Sequence, residues 1–470
     1  MLFSSYVFLF VFFPLILALN FLVCKTLKQK NIVLTLFSLF FYAYGGPKYL
    51  IIMIISIMIN YFFGLIVDKF RNKNCFKVKI VLGLSVFTNL SILCYFKYYN
   101  FFVENLNNIF NVNIPALNVV LPIGISFYTF QAMSYVIDIY RGNGSVQKNP
   151  LNVALYISLF PQLIAGPIVR YETIANQINE RKESIEGFVL GFQRFVIGFS
   201  KKLIIANTFA EVADNIFNSN MSELTFVSAW IAAIAYSFQI YFDFSGYSDM
   251  AIGLGRIFGF HFLENFNYPY VASSITDFWR RWHISLSTWF RDYVYIPLGG
   301  NRKGSKRQIF NILIVWILTG FWHGASWNYL IWGFYYAILL LFEKIILFKY
   351  INKLNVSFKH IYTLFFVIIG WVIFRIENIE ILISFLQTMF SPCLDVHNLN
   401  LLILFIGNYY LEFIVAIVAS LPLIPFIKKK INLNSLIIQN IINFCSILIF
   451  ILSIAYLIGS TYNPFIYFRF

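Results

Sequence analysis

Apolar residues run along this chain in long blocks, at Tyr6–Cys24, Tyr49–Val67, Phe226–Phe242, Phe310–Trp322, Ile361–Phe374, Leu399–Ile427 and Ile437–Leu457. About 20 such residues coiled as a helix cover the hydrocarbon core of a bilayer. The pattern predicts an all-α polytopic membrane protein. Between roughly residues 118 and 344 the apolar runs are broken, at Leu121–Gly124, Pro161–Pro167 and Pro297–Gly300. Broken helices are tolerated at membrane depth only where protein or a water-filled cavity covers the freed backbone groups. The expectation is one domain over 1–470, with re-entrant and broken helices of the 118–344 region around a central cavity and peripheral spans at 1–117 and 345–470. Two halves of inverted hydropathy, the usual mark of a transporter, are not evident. From Asn176 to Lys202, Phe188, Phe192, Phe195 and Phe199 recur at three and four residues with charges off that line, which predicts an amphipathic helix at the cytoplasmic interface.

Composition sharpens the class. Of 470 residues, 60% are hydrophobic and 12% charged, about half the charged share of a soluble domain. The net charge of +15 raises nucleic acid as a partner. The basic residues, however, fall in short connections (Lys25–Lys30, Lys69–Lys79, Arg302–Arg307, Lys344–Lys359 and Lys428–Lys430), as the positive-inside rule distributes them, and not on a face with stacking aromatics. Nucleic acid is therefore not expected, and the lipid bilayer is the surrounding partner. Val103–Leu117 and Glu211–Phe226 carry acids without Lys or Arg and belong outside. Alternation gives ten or eleven crossings, the even number if both termini are external. The first apolar block has no basic leader or small-residue cleavage site and reads as a retained span. Cys24, Cys75, Cys94, Cys393 and Cys445 are scattered apolar filler.

Chemistry concentrates in two stretches. Asp277–Tyr293 contains no Pro or Gly, so one continuous helix is expected, with Asp277 and Arg281 as an i,i+4 ion pair and Trp279 and His283 on a second shared face. An interfacial aromatic belt explains its tryptophans and arginines but not a histidine, and intramembrane ionisable groups usually mark function. In Phe321–Gly333, His323 ends an apolar run beside Gly324 and Ala325, whose small size lets another chain or a substrate approach the imidazole. A neutral imidazole suits a general base, because its pKa lies near operating pH. A third polar group, Gln239–Asp249, holds Asp243, Ser245 and Asp249, which could bind a polar ligand, orient a histidine or pair with arginines. His261, His283, His323, His360 and His397 form no H-x-x-x-H or H-E-x-x-H, and no metal is expected. A G-x-S-x-G elbow is missing, and Gly253–Gly255 reads as helix packing.

These two histidine stretches resemble the signature of the membrane-bound O-acyltransferase family. The likeness is to its bacterial polysaccharide branch, represented by the membrane subunit of alginate O-acetyltransferase. Met1–Phe10, Leu121–Gln131, Phe160–Arg170, Tyr241–Asp249 and the ending Asn463–Phe470 carry the same likeness, so it runs nearly end to end. Pro297–Gly300 sides with the acetyl branch and against the branch that moves D-alanine onto teichoic acids. The resemblance implies transfer of an acetyl group from a cytoplasmic thioester, acetyl-CoA, towards a polysaccharide outside a bacterial cytoplasmic membrane, handed on by an extracytoplasmic partner of the SGNH hydrolase type. It implies His323 as base and His283 as the group that orients the thioester carbonyl or stabilises its oxyanion. Trp279, Arg280, Arg281, Trp282, Asp243, Ser245, Trp322 and Asn328 are the candidate donor- and substrate-binding residues. The rival from another class is a transporter or flippase of a lipid-linked sugar or acyl carrier, with the histidines as proton-coupling groups.

Overall fold

The computed structural model describes residues 1–72, 75–351, 353–392, 396–430, 435–460 and 462–466, and all regular structure among them is helical. Lys73, Cys393, the last four residues of the family-like ending, and the side chains of Cys75, Lys349, His397 and Lys428 lie outside that description. Among the described residues, six helices are long and apolar enough to cross a membrane: Pro47–Arg71, Phe76–Phe110, Trp327–Leu347, Val356–Arg375, Asn398–Ser420 and Leu436–Gly459. The chain is a multi-pass membrane protein. Two of the six, Phe76–Phe110 and Trp327–Leu347, are missing from the apolar blocks of the sequence, because Lys77, Lys79, Lys97 and Glu104 interrupt one and Glu343 with Lys344 the other. The first block forms Phe8–Val23, with π-helical turns at Phe8–Phe12 and Leu19–Val23. Leu399–Ile427 is not one element: its helix stops at Ser420 and a second starts at Leu423, as Pro422 requires.

The interruptions predicted between 118 and 344 are present. Gly124 turns the chain at φ 74° before the helix Ile125–Arg141. After Pro150–Ser158 the backbone leaves helical geometry at Leu159, makes one turn at Phe160–Leu163 and then runs non-helically through fully covered residues to Val169. At Pro297–Gly300, Gly299 and Gly300 both take positive φ.

The described residues form two compact units. The first comprises Met1–Phe195 and Tyr247–Leu263. Its core is aromatic: Phe3, Phe8, Phe12, Phe41 and Phe160 form one cluster, Phe12 standing 5.3 Å from Phe160 and Phe41 5.7 Å from it, and Phe3 stacks on Tyr247 at 4.5 Å. Among its buried polar groups, Asn20 and Lys30 both bond Glu183, and Arg194 pairs with Asp249 at 2.6 Å. Asp249 thus takes the arginine-pairing option. Gly253 is pressed against the Gly191 carbonyl, so the glycine pair is helix packing, as expected. The helix over Ile185–Ser200 is less exposed than an interfacial stripe predicts, because Phe195, Val196 and Phe199 are fully buried.

The second unit comprises Val196–Gly246 and Glu264–Phe470. At its centre the helix Ser305–His323 doubles back through a three-residue turn into Trp327–Phe342. The two backbones touch. A Cβ on Gly320 would collide with the Tyr329 carbonyl oxygen, and one on Gly333 with that of Trp316. Gly320→Ala is therefore expected to lower stability by about 1–3 kcal/mol, as overpacking does. Gly407→Ala, whose Cβ meets nothing within 4 Å, is expected to leave the thermal midpoint in detergent unchanged. Equal midpoints for the two variants would refute this close approach.

Candidate active site

His283 owes its position to a break that periodicity does not announce. Asp277–Tyr293 is not one helix. Ile275–Arg281 stops, Trp282 is extended (φ −99°, ψ 130°), His283 is left-handed (φ 45°, ψ 54°), and Ile284–Phe290 begins anew. A neighbouring segment satisfies the backbone groups that the break frees: Asn267 N–H donates to the Arg281 carbonyl at 2.9 Å, and Ile284 N–H to that of Asn265 at 2.9 Å. The left-handed conformation is uncommon outside Gly, Asn and Asp and persists when its surroundings impose it. The Asp277–Arg281 pair forms at 2.9 Å as expected. The shared Trp279–His283 face does not form, because the break turns the imidazole away. Trp279 packs instead against Trp316 and Tyr336, both at 4.7 Å.

The front of the first short helix is held by a residue that sequence reasoning missed. The buried Glu343 carboxylate accepts hydrogen bonds from Ile275 N–H (2.6 Å), Thr276 N–H (2.9 Å) and the Thr276 hydroxyl (2.7 Å). Negative charge at a helix N-terminus complements its open N–H groups. Ser274 adds its own cap by accepting from Asp277 N–H at 3.0 Å.

His323 is the last residue of Ser305–His323 and is buried. Its ring meets Trp322 at 5.0 Å, Phe374 at 5.1 Å and Trp332 at 5.2 Å between centroids. The space beside Gly324 is not left for a substrate: the chain's own Tyr329 ring fills it, and a Cβ there would strike that ring. On another side His323 borders a small cavity lined by Ile240, Phe244, Trp282, His323, Trp332, Trp371, Phe374 and Ile466. His283 reaches the same cluster from its turn. Phe244 stands edge-on to its ring at 4.6 Å, and Trp322, at 6.0 Å, lies between the two imidazoles. Trp332, a cavity wall, has a buried indole N–H with no hydrogen-bond acceptor among the described residues.

Of the other candidates, Trp282 lines the cavity and Trp322 bridges the histidines. Arg280 is exposed, and Arg281 is held by Asp277 and the Asn267 carbonyl. Asn328 donates to the Phe374 carbonyl at 3.0 Å, closing the end of the Val356–Arg375 helix. Ser245 is buried without a partner for its hydroxyl among the described residues. Asp243 forms an ion pair with Lys202 at 2.7 Å, both 2% exposed, and accepts Ile466 N–H at 2.8 Å. Of the remaining histidines, His261 is exposed and His360 bonds the Ala272 carbonyl. The residues missed (Lys202, Asn265, Ser285, Trp332, Glu343, Trp371 and Phe374) stand 20 or more positions from a partner or inside apolar runs, where nothing local distinguishes them.

With this arrangement, comparison with known proteins is direct. The family model described as MBOAT, membrane-bound O-acyltransferase family, matches residues 145–386. The probable alginate O-acetylase AlgI of Azotobacter vinelandii is 38% identical over the whole of both chains. The peptidoglycan O-acetyltransferase of Helicobacter pylori is 37% identical over 83% of this chain and 80% of its own length. A teichoic acid D-alanyltransferase of Bacillus subtilis is 34% identical over 49% of this chain and 62% of its own length. The chain belongs to the membrane-bound O-acyltransferase family, and it is an O-acyltransferase.

Proposed function

We propose that this enzyme takes an acetyl group from a cytoplasmic thioester, acetyl-CoA, and passes it to the outer side of a bacterial cytoplasmic membrane for O-acetylation of a polysaccharide. The observation that carries the reading is the meeting of two buried imidazoles on Trp322, one of them at a cavity walled by aromatic and aliphatic carbon. A chamber of that kind excludes water from a hydrolysable acyl group and strengthens polar contacts inside it. His323 takes the proton of the attacking hydroxyl. The hydroxyl oxygen adds to the acetyl carbonyl, the carbon–sulfur bond breaks, and the proton passes on to the departing thiolate. The Trp332 indole N–H can donate to the oxyanion that forms on the way. Arg280 and the exposed Arg302, Lys303, Lys306 and Arg307 supply positive charge for an anionic donor.

Acetyl is favoured over D-alanine because the relatives named as O-acetylases align along 83% or more of the chain and the D-alanyltransferase along 49%. An extracytoplasmic partner of the SGNH hydrolase type would complete transfer to the sugar. The test is free CoA release from acetyl-CoA by the purified protein in detergent, with and without that partner, beside a D-alanyl thioester. Release with acetyl-CoA and not with the D-alanyl donor is expected. No release by folded protein with the partner present would rule out acetyl-CoA as donor.

A further inference from the structure

Three hydrogen-bond contacts converge on one oxygen beside His283. Asn265 is fully buried, and its Oδ1 lies 3.1 Å from the Ser285 backbone nitrogen, 2.8 Å from Ser285 Oγ and 3.2 Å from His283 Nδ1. A backbone N–H can only donate. The Asn265 atom that faces it is therefore the carbonyl oxygen and not the amide nitrogen, which removes the usual ambiguity of an asparagine. A carbonyl oxygen can only accept, so the imidazole nitrogen opposite it carries the hydrogen. In a neutral ring the other nitrogen then holds a lone pair. That atom, Nε2, is buried and without a hydrogen-bond partner among the described residues. His283 sits buried on the turn between two seven-residue helices, an environment that favours the neutral ring. The groups facing it are Asn265, Ser285, Phe244 and Trp322, none of them charged.

We propose that Asn265 is a positioning residue that holds His283 as the Nδ1–H tautomer, so that Nε2 accepts a hydrogen bond from bound substrate instead of donating one to the oxyanion. The proposal rests on the acetyl-transfer reading and changes one role within it. A neutral His283 in this tautomer has no hydrogen on Nε2 to offer, and the oxyanion falls to a donor such as Trp332. The hydrogen that Nε2 accepts comes from an O–H or N–H of the substrates, either the attacking hydroxyl or an amide of the thioester's pantetheine arm.

The test uses the full-length protein with 15N-histidine, in detergent, and assigns the His283 signals by their loss in His283→Gln. The wild type is expected to show a protonated Nδ1 and a bare Nε2. A protonated Nε2 would overturn the proposal. Addition of acetyl-CoA alone is expected to move the Nε2 signal if the amide is the donor, and addition of a hydroxyl acceptor if the hydroxyl is. A signal moved by neither overturns it. Asn265→Leu is expected to mix the tautomers and to cost roughly 10–100-fold in kcat for CoA release, with KM little changed. Asn265→Asp keeps an acceptor at Nδ1, so it is expected to restore the tautomer and most of the activity, while its charge moves the acid limb of the pH profile upward. Wild-type turnover in Asn265→Leu would refute the positioning role. A wild type with the stated tautomer and no acetyl transfer would refute the acetyl-transfer reading and leave the tautomer standing.

Discussion

His323→Ala is expected to abolish acyl transfer while the protein inserts and folds. Loss of a positioned general base costs typically 10²–10⁴-fold. No other wall of the cavity can replace it, since those walls are Ile, Phe and Trp, and a tryptophan N–H donates without accepting. The ring also packs against Trp322, Trp332 and Phe374, so alanine leaves a hole. His323→Gln separates the two effects, because glutamine fills much of the volume and keeps a polar end but is no base at neutral pH. Both variants should release CoA at least about 10²–10⁴-fold more slowly than the wild type, with His323→Gln closer to the wild type in thermal midpoint. Turnover by His323→Gln within a few-fold of the wild type would remove His323 as the base.

Lys202→Met is expected to cost more stability than Gly320→Ala. Lys202 and Asp243 are each 2% exposed and form a 2.7 Å ion pair, and the pair holds a length of chain as well. Asp243 accepts Ile466 N–H, Lys202 bonds the Pro464 carbonyl, and Asn207 reaches Asn463 at 3.2 Å. Removing one partner of a buried pair leaves an uncompensated charge, at about 3–5 kcal/mol. Because Ile466 is a wall of the cavity at His323, turnover should fall together with the midpoint. Lys202→Met combined with Asp243→Asn removes both charges and keeps an acceptor for Ile466 N–H, so more than half of the lost stability should return. A double variant no more stable than Lys202→Met would mean that the unpaired carboxylate is not the cause. Asp243, a candidate for ligand binding by its place after an apolar run, here supports the wall of the cavity from behind.

Much of this protein is local in origin and could be read along the chain. A run of about 20 apolar residues can satisfy its backbone in a bilayer only as a helix, so class and helix content follow from hydropathy alone. Pro and Gly act on their own backbone, so the breaks at Gly124, Pro161 and Gly299 were visible too. The Asp277–Arg281 pair spans four residues of one helix and was equally legible. Both histidines stood out because an imidazole in such surroundings calls for a reason.

What the sequence did not reveal depends on residues brought together from a distance. The helix through Asp277–Tyr293 breaks at His283 because the 265–267 segment bonds the freed backbone groups, and no residue inside the stretch reports that segment's presence. Lys202 looks like one more cation at the end of an amphipathic helix. The π-helical turn at Lys201–Ala206 changes the helical register there, so a regular 3.6-residue count fails to predict that it is buried. Gly324 looked like room for a substrate until the hairpin brought Tyr329 over it. Hydropathy and residue type settle the solvent, the helical class and the two histidines as candidates, because each is a property of a residue and its near neighbours. That the imidazoles share Trp322, that Asn265 faces Nδ1 of His283 and that Ile466 closes the cavity emerge only in the folded chain, because those are contacts between residues roughly 20 to more than 200 positions apart.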